Sequence, residues 1–244
     1  MKTMKFFIPI VALAMFASCG KCEKETKCER KSENTQVLSE AERANLTPDC
    51  VVEILKKGNH EFVHNKLTVR NNPEVIRDAA NGQFPKAVIL SCLDSRVPVE
   101  DVFHRAIGDI FVARVAGNIV NVDILGSMEF ACAAAGAKVI MVLGHGACGA
   151  VIHAIEGTEL GNITEMLSKI QPAVAESRVS FDGAATGSNP EFVDVVGINN
   201  VIWAVHEIRA NSPILAEMER NGAIRIIGGY YDMHTGKVDF FENL

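Results

Sequence analysis

Three apolar runs constrain the fold of this chain more than any other feature. They cover residues 87–92, 109–115 and 139–143, and helical patterns separate them. Runs without regular polar alternation are typical of strands that are buried on both faces. Buried strands that alternate with helices predict an α/β fold, with a mainly parallel central β-sheet flanked by helices on both faces.

The remaining elements follow from periodicity and from helix start signals. Ser39 begins one helical pattern, and Thr47 with Pro48 opens a second. Further helices are predicted over residues 73–80, 121–135, 148–155, 193–210 and 214–221, and final strands over residues 223–231 and 238–241. The globular pattern begins at Val37, so residues 37–244 are predicted to form one folded domain.

The N-terminal segment has the pattern of an export signal. Lys2 and Lys5 precede an apolar run over residues 6–16, and small residues lead to Cys19. This order is typical of a secretory signal, and the run is shorter than the ~20 residues that span a bilayer. Residues 16–19 resemble the lipobox of bacterial lipoproteins, although Phe16 stands where Leu is usual. A signal peptide over residues 1–18 and a lipid on Cys19 are therefore predicted; an ordinary cleaved signal and a buried helix are the alternatives.

A charged segment joins this signal to the folded domain. Residues 19–36 are mixed in charge and nearly free of apolar side chains, so they are predicted to form a solvated tether. Nothing in the sequence assigns a role to Cys22 or Cys28 within it. The formal net charge is -6. An acidic chain without a basic stripe is a poor nucleic-acid binder, so nucleic acid is not expected as a partner.

Metal-ligand residues follow two of the predicted strands. Cys92 ends the first run, and His145 with Cys148 follows the third. Sites in open α/β sheets form at the carboxyl ends of strands. Two thiolates and one imidazole suit Zn²⁺ and leave a fourth tetrahedral position open, as in catalytic zinc sites. Each residue alone is more often a core cysteine or a chance motif, but their conjunction at strand ends favours a zinc site.

An acid–base pair stands beside the first cysteine. Asp94 is two residues beyond Cys92, and Arg96 follows it. Asp94 could bind the metal as a fourth ligand, or Arg96 could hold its carboxylate through a bidentate hydrogen bond. A purely structural ion pair is the alternative, although exposed pairs stabilise a fold by only ~0–1 kcal/mol.

The two motifs together resemble the zinc signature of the β-carbonic anhydrases. Cys-x-Asp-Ser-Arg and His-x-x-Cys carry the resemblance, which extends from Thr47 to Asp232. It implies that Cys92, His145 and Cys148 bind one Zn²⁺ and that Asp94 and Arg96 form a gating dyad. It also implies a β-carbonic-anhydrase-like fold. The residues that it assigns to the substrate pocket are Gln83, acting from a neighbouring subunit, Phe111 and Phe130.

Three positions depart from the family pattern. Phe130 stands where Tyr is frequent, and Val115 stands where Asn is common. Ile89 replaces the Trp of members that bind inhibitory bicarbonate, so that anion site is not expected here. The first two changes affect the expected substrate pocket and not the metal ligands.

The resemblance implies reversible hydration of carbon dioxide to bicarbonate and a proton by zinc-bound hydroxide. It also implies a homodimer or a higher homo-oligomer. With the N-terminal pattern, it predicts an exported enzyme on the periplasmic or cell-envelope face of a bacterial membrane, attached only through the lipid on Cys19.

Three alternatives remain at this stage. Hydrolysis of carbonyl sulfide or carbon disulfide is possible on the same fold with the same zinc ligands. A binding lipoprotein with structural zinc would have a closed site with four ligands. A thiol redox protein would need a Cys-x-x-Cys pair in the folded domain, and the sequence has none there. Cys50 and Cys132 lie in apolar helical patterns and are predicted to be core residues.

Overall fold

A computed structural model of the protein describes residues 38–67 and 72–244. The predicted signal peptide over 1–18, the tether over 19–36, Cys19 and Val37 lie outside the described residues. Within the described ranges, no helix is both long enough and apolar enough to cross a membrane.

The chain forms a five-stranded sheet with helices on both faces. The strands are β1 (Ala87–Ser91), β2 (Ile110–Arg114), β3 (Val139–His145), β4 (Arg225–Tyr231) and β5 (Val238–Phe241). Their order is β2-β1-β3-β4-β5; the first four are parallel, and β5 is antiparallel to β4. The predicted α/β class and the mainly parallel sheet are confirmed.

Ten α-helices surround the sheet in the described part of the chain. They are α1 (Glu40–Ala44), α2 (Pro48–Val63), α3 (Asn72–Ala79), α4 (Val99–Val102), α5 (Val122–Glu129), α6 (Gly149–Glu156), α7 (Gly161–Ser168), α8 (Gln171–Ser180), α9 (Pro190–Asn211) and α10 (Pro213–Arg220). A 3₁₀ turn, Ala116–Asn118, follows β2, and a π-helical turn, Phe130–Ala134, ends α5.

The sheet has a separate hydrophobic core on each face. On one face, α2 and α4 cover alternate residues of the central strands, among them Ile89 and Met141. On the other face, α5, α9 and α10 cover the intervening residues, among them Leu90 and Val142. All side chains of β1 and β3 are buried, as their unbroken apolar runs predict.

A third core lies at the carboxyl ends of the strands. Helices α6 to α9 pack there around Cys92 and Cys148, with Ile170 and Phe192 fully buried. This cluster closes one side of the predicted metal site. The site therefore lies in packed protein rather than in a surface loop.

Several features differ from the sequence predictions. No helix was predicted over residues 99–102, where the short α4 lies, or over residues 157–192, where α7 and α8 lie, and none of these three begins with a side-chain cap. Helix α9 begins at Pro190, three residues before its predicted start. Cys50 was predicted to be a core residue, but it is half-buried in the first turn of α2 and disulfide-bonded. Cys132 is buried as predicted.

Candidate metal centre

Two strand ends and one helix start bring the predicted ligands together. Cys92 directly follows β1, His145 is the last residue of β3, and Cys148 is the N-cap of α6. Because β1 and β3 are parallel neighbours, their carboxyl ends lie at the same edge of the sheet. The three ligand atoms lie within 4.8 Å of one another, and all three residues are buried.

The imidazole of His145 presents one free nitrogen to this cluster. Its Nδ1 lies 2.9 Å from the carbonyl oxygen of Gly146. A carbonyl only accepts hydrogen bonds, so Nδ1 carries the proton and Nε2 keeps a lone pair. Nε2 is buried and has no hydrogen-bond partner among the described residues. A buried nitrogen of this kind is the expected state of a metal ligand whose second nitrogen is fixed by the backbone.

The sulfur spacing fits a zinc ion. The Sγ atoms of Cys92 and Cys148 are 3.9 Å apart. Two sulfurs bound at about 2.3 Å to one tetrahedral Zn²⁺ lie about 3.8 Å apart. Two thiolates with one imidazole are a ligand set that Zn²⁺ prefers. Spacing, burial and ligand chemistry therefore all fit zinc with a fourth position left for the reaction.

The electrostatics of the cluster favour a thiolate at Cys92. The hydrogen bond with the Cys148 thiol lowers the pKa of Cys92 to about 4, against the opposing effect of burial. The pKa of Cys148 is raised by that same contact and by burial. Burial alone would lower the pKa of His145, but the neighbouring Cys92 thiolate and the Gly146 carbonyl raise it.

A glycine amide supports the Cys92 sulfur. Gly117 donates its backbone N–H to Cys92 Sγ at 3.3 Å, and Asn200 donates a hydrogen bond to the Gly117 carbonyl. Gly117 has φ +73°, and a Cβ there would lie 2.6 Å from Ile170 Cδ1. Only glycine satisfies both the backbone conformation and the packing at this turn.

The predicted acid–base pair forms with both carboxylate oxygens engaged. Arg96 Nε donates to Asp94 Oδ1 at 2.9 Å, and Arg96 Nη2 donates to Oδ2 at 2.6 Å. The Arg96 backbone N–H also reaches Oδ1. The Arg96 guanidinium is the main reason that the pKa of Asp94 is lowered to about 2. Asp94 Oδ2 lies 3.8 Å from His145 Nε2, so the carboxylate stands beside the metal ligands.

The residues predicted to line the substrate pocket are only partly together. The rings of Phe111 and Phe130 lie 6.4 Å apart, and Phe130 is exposed. Gln83 is exposed before β1, and among the described residues it makes no hydrogen bond to the metal cluster. The action of Gln83 on a neighbouring subunit stays a prediction.

Known proteins are similar to this chain in sequence and in fold. The sequence model of the carbonic anhydrase family matches residues 87–238. Carbonic anhydrase 2 of Mycobacterium tuberculosis is 32% identical over 203 residues, which are 79% of this chain and 92% of that protein. The chain belongs to the β-class carbonic anhydrase family.

Two further similarities agree with this assignment. The carbonic anhydrase of Mycolicibacterium smegmatis is 30% identical over 206 residues, which are 82% of this chain and 96% of that protein. One of two tetrameric β-carbonic anhydrases of Sordaria macrospora has the same fold, with a TM-score of 0.61 and 24% identity. The similarity covers 78% of this chain and 96% of that one.

Membership of this family establishes the reaction and the metal of this protein. Like other β-carbonic anhydrases, this lyase depends on zinc and hydrates carbon dioxide reversibly to bicarbonate and a proton. The cluster of Cys92, His145 and Cys148 is the metal site that the described residues offer for it.

Some contacts across the sheet were not predicted from the sequence. Arg114 was assigned no role, yet it hydrogen-bonds three carbonyls of the segment that carries Cys92 and Asp94. Tyr230 and Asp194 were also assigned none, and their hydrogen bond of 2.9 Å lies between β4 and α9. Neither contact has a local sequence signal, because the partners are 17 to 36 residues apart.

Proposed function

We propose that Cys92, His145 and Cys148 hold the catalytic zinc and that Asp94, restrained by Arg96, orients the reactants. The free, buried Nε2 of His145, within 4.8 Å of both sulfurs, is the observation that carries this proposal. Zinc bound there supplies a Lewis acid that makes water nucleophilic near neutral pH.

Asp94 has the position and charge to orient the attacking water. Its low pKa keeps the carboxylate ionised, so it accepts a hydrogen bond from the O–H of that water and directs an oxygen lone pair toward carbon dioxide. Arg96 engages both carboxylate oxygens, and this restraint keeps Asp94 from occupying the open metal position.

Phe111 and Phe130 supply the apolar wall on which carbon dioxide rests. We infer that Gln83 of a second subunit donates a hydrogen bond to a substrate oxygen. Carbon dioxide carries no net charge, so an apolar surface with one well-placed donor suits it.

Metal analysis and stopped-flow hydration test this proposal together. The chain without residues 1–18 is compared with Asp94→Asn and with Asp239→Asn, whose carboxylate pairs with Lys237 on the surface. We expect about one zinc per chain in all three proteins and a turnover loss of about 10²-fold only in Asp94→Asn. A zinc-loaded parent without carbon dioxide turnover, or equal rates in all three, would refute the assigned roles.

We also propose that the enzyme works as a homodimer or a larger homo-oligomer. Strand β2 lies at the edge of the sheet, and unpaired strand edges commonly pair with another chain. Large exposed apolar side chains flank it in sequence at Leu93, Ile107, Val122 and Phe130. Exposed apolar side chains of this size would be covered if this side of the sheet is an interface.

Finally, we propose that the enzyme is exported and attached to a bacterial membrane through a lipid on Cys19. The support is the sequence alone: Lys2 and Lys5, the apolar run over residues 6–16 and the lipobox-like residues 16–19. Cys19→Ser, expressed with the full chain in a bacterial host, tests it. We expect the parent, but not the variant, to incorporate labelled palmitate and to sediment with membranes; equal label in both would contradict the proposal.

A further inference from the structure

Arg114, the last residue of β2, holds the backbone of the catalytic segment at three points. Its Nε donates to the carbonyl of Cys92 at 3.0 Å, and its Nη2 donates to the carbonyls of Asp94 at 2.5 Å and Val97 at 3.0 Å. One rigid guanidinium thus joins the neighbouring strand to residues 92–97. Arginine suits this task because its planar group presents several donors in fixed directions.

Two of the three carbonyls that Arg114 binds belong to residues of the metal site. Cys92 presents the metal-binding sulfur, and Asp94 presents the carboxylate beside the metal ligands. Arg96 holds that carboxylate by its side chain, whereas Arg114 holds the backbone from which it projects. The two arginines therefore fix different degrees of freedom of Asp94.

Core packing does not explain these contacts. Arg114 is exposed, unlike the buried side chains of β1 beside it. All of its side-chain hydrogen bonds in the described part of the chain go to residues 92–97. Beyond Ser91, whose carbonyl still accepts from the Val115 N–H, that segment leaves the strand ladder. Its conformation therefore depends on side-chain contacts such as these.

We propose that Arg114 is a positioning residue of the reaction, which sets the place of Asp94 relative to the metal ligands by clamping residues 92–97. The effect on turnover rests on the proposed role of Asp94. The clamp itself does not, because it is a property of the backbone that can be measured without substrate.

Arg114→Gln removes the guanidinium group that donates to the three carbonyls, and Arg178→Gln is its matched control. Arg178 of α8 also donates to a backbone carbonyl, that of Ile155 at 2.9 Å, but among the described residues it makes no hydrogen bond to residues 92–97. In Arg114→Gln we expect unchanged zinc content and oligomer mass with kcat lowered about ten- to a hundredfold. Arg114→Lys keeps the positive charge but lacks the planar group with several donors. We therefore expect its kcat to lie between those of Arg114→Gln and the parent. The control should stay within about twofold of the parent.

A double-mutant cycle separates positioning from general structural damage. If Arg114 acts through Asp94, then Arg114→Gln should change the residual kcat of Asp94→Asn by less than about twofold. Losses that multiply in the double variant, zinc loss from Arg114→Gln, or a rate equal to that of the control would overturn the proposal.

Amide hydrogen exchange tests whether Arg114 restrains the backbone of residues 92–97, independently of catalytic activity. In zinc-loaded protein, Arg114→Gln should accelerate exchange in residues 92–97 at least about tenfold, while the control leaves it unchanged. Unchanged exchange there would overturn the clamp. Absence of carbon dioxide turnover in the parent would instead overturn the proposed function, and the exchange result would still decide the role of Arg114.

Discussion

At the residue scale, different neighbours give buried thiols different chemistry. Cys92 and Cys148 meet at the metal site, whereas Cys132 is buried near the end of α5 among apolar side chains. Burial raises the pKa of Cys132 to about 12. The same side chain is thus a ligand where a second thiol and an imidazole stabilise the thiolate, and a small apolar core residue where nothing does.

This difference predicts selective thiol labelling. At pH 8 the Cys132 thiol stays protonated, and its burial closes access to it. We expect iodoacetamide to leave Cys132 unmodified in folded, zinc-loaded protein and to modify it in denaturant, as peptide mass mapping can show. Chelator treatment should expose Cys92 and Cys148 to the reagent first. Labelling of Cys132 in the folded protein at its denatured rate would contradict its burial.

The metal ligands were predictable from the sequence because they directly follow strands that apolar runs define. Cys92 and His145 stand at the ends of such runs, and Cys148 is three residues further on. Parallel pairing then brings both ends to one edge. The Arg114 clamp was not predictable, because its acceptors are backbone carbonyls, which every residue carries. Its geometry depends on the twist and register of two strands.

At the element scale, helix α9 approaches β4 closely where Gly197 of the helix faces Tyr230 of the strand. A Cβ at Gly197 would lie 2.8 Å from Tyr230 Oη and 3.0 Å from Cε2. The Tyr230 hydroxyl in turn donates to Asp194 one turn earlier on α9. The tyrosine therefore fills the groove that the glycine leaves and is fixed there by a carboxylate.

We predict that Gly197→Ala destabilises the fold by about 1–3 kcal/mol through overpacking, although alanine favours helix by about 1 kcal/mol. Gly126→Ala is the matched control, because a Cβ at this helical glycine of α5 meets nothing within 4 Å. We expect the control to be neutral or slightly stabilising. Urea unfolding measures the free energy of unfolding of both variants. Equal changes would show that the close approach of α9 to β4 at Gly197 does not exclude a Cβ.

A carboxylate just beyond β5 makes the stability of the terminal strand depend on pH. Glu242 lies 2.5 Å from Lys56 of α2 and 3.1 Å from Arg225 of β4. The hydrogen bond from Lys56 is the main cause that lowers the pKa of Glu242 below 4.5. A carboxyl whose pKa is lower in the folded state contributes stability above its unfolded pKa, and loses it as pH falls through the folded pKa.

Glu242→Gln should therefore lower the melting temperature at pH 7 by about 1–3 °C, because a partly exposed ion pair contributes little. The difference from the parent should shrink as pH falls below about 4.5. Glu159→Gln, at an exposed carboxylate, controls for charge removal. A difference that persists or grows at acid pH would show that the contact is not electrostatic.

Most helix starts that carry a capping side chain were predictable, although α9, capped by Asn189, begins three residues before its predicted start, and α6 was predicted to within one residue without such a cap. Ser39, Thr47 and Asn121 cap α1, α2 and α5 with side-chain hydrogen bonds, and the sequence predicts each of these starts to within one residue. Helices α7 and α8 begin without such caps and were missed. The π-helical turn that ends α5 keeps the predicted helical span but changes the spacing of its side chains, which periodicity alone does not reveal.

At the scale of the whole molecule, the described chain leaves the outer edge of β2 without a strand and Gln83 without a contact to the metal cluster. Both features are explained if two copies of the chain contact each other along the outer edge of β2. The fold class of one chain follows from its apolar runs. The geometry of an assembly depends on two surfaces fitting each other, and no pattern within one sequence encodes that fit.

Val122→Glu tests the proposed assembly, because it places a charge near the proposed interface while stabilising the helix of the isolated chain. Val122 is 79% exposed at the first position of α5, where an acidic side chain stabilises the helix dipole. Val179→Glu is the control, because Val179 is 89% exposed on α8, outside the segments that flank β2. We expect light scattering to give a dimer or larger for the parent and the control, and a weakened assembly for Val122→Glu.

Turnover should follow the oligomeric state. Because Gln83 is proposed to act on the neighbouring subunit, diluting Val122→Glu below its dissociation constant should lower kcat, while its zinc content stays near one per chain. Raising the protein concentration should restore both mass and rate together, since assembly is a mass-action equilibrium. A monomeric variant with the parent's rate would place the complete site within one chain. An unchanged oligomer would move the interface away from the edge of β2.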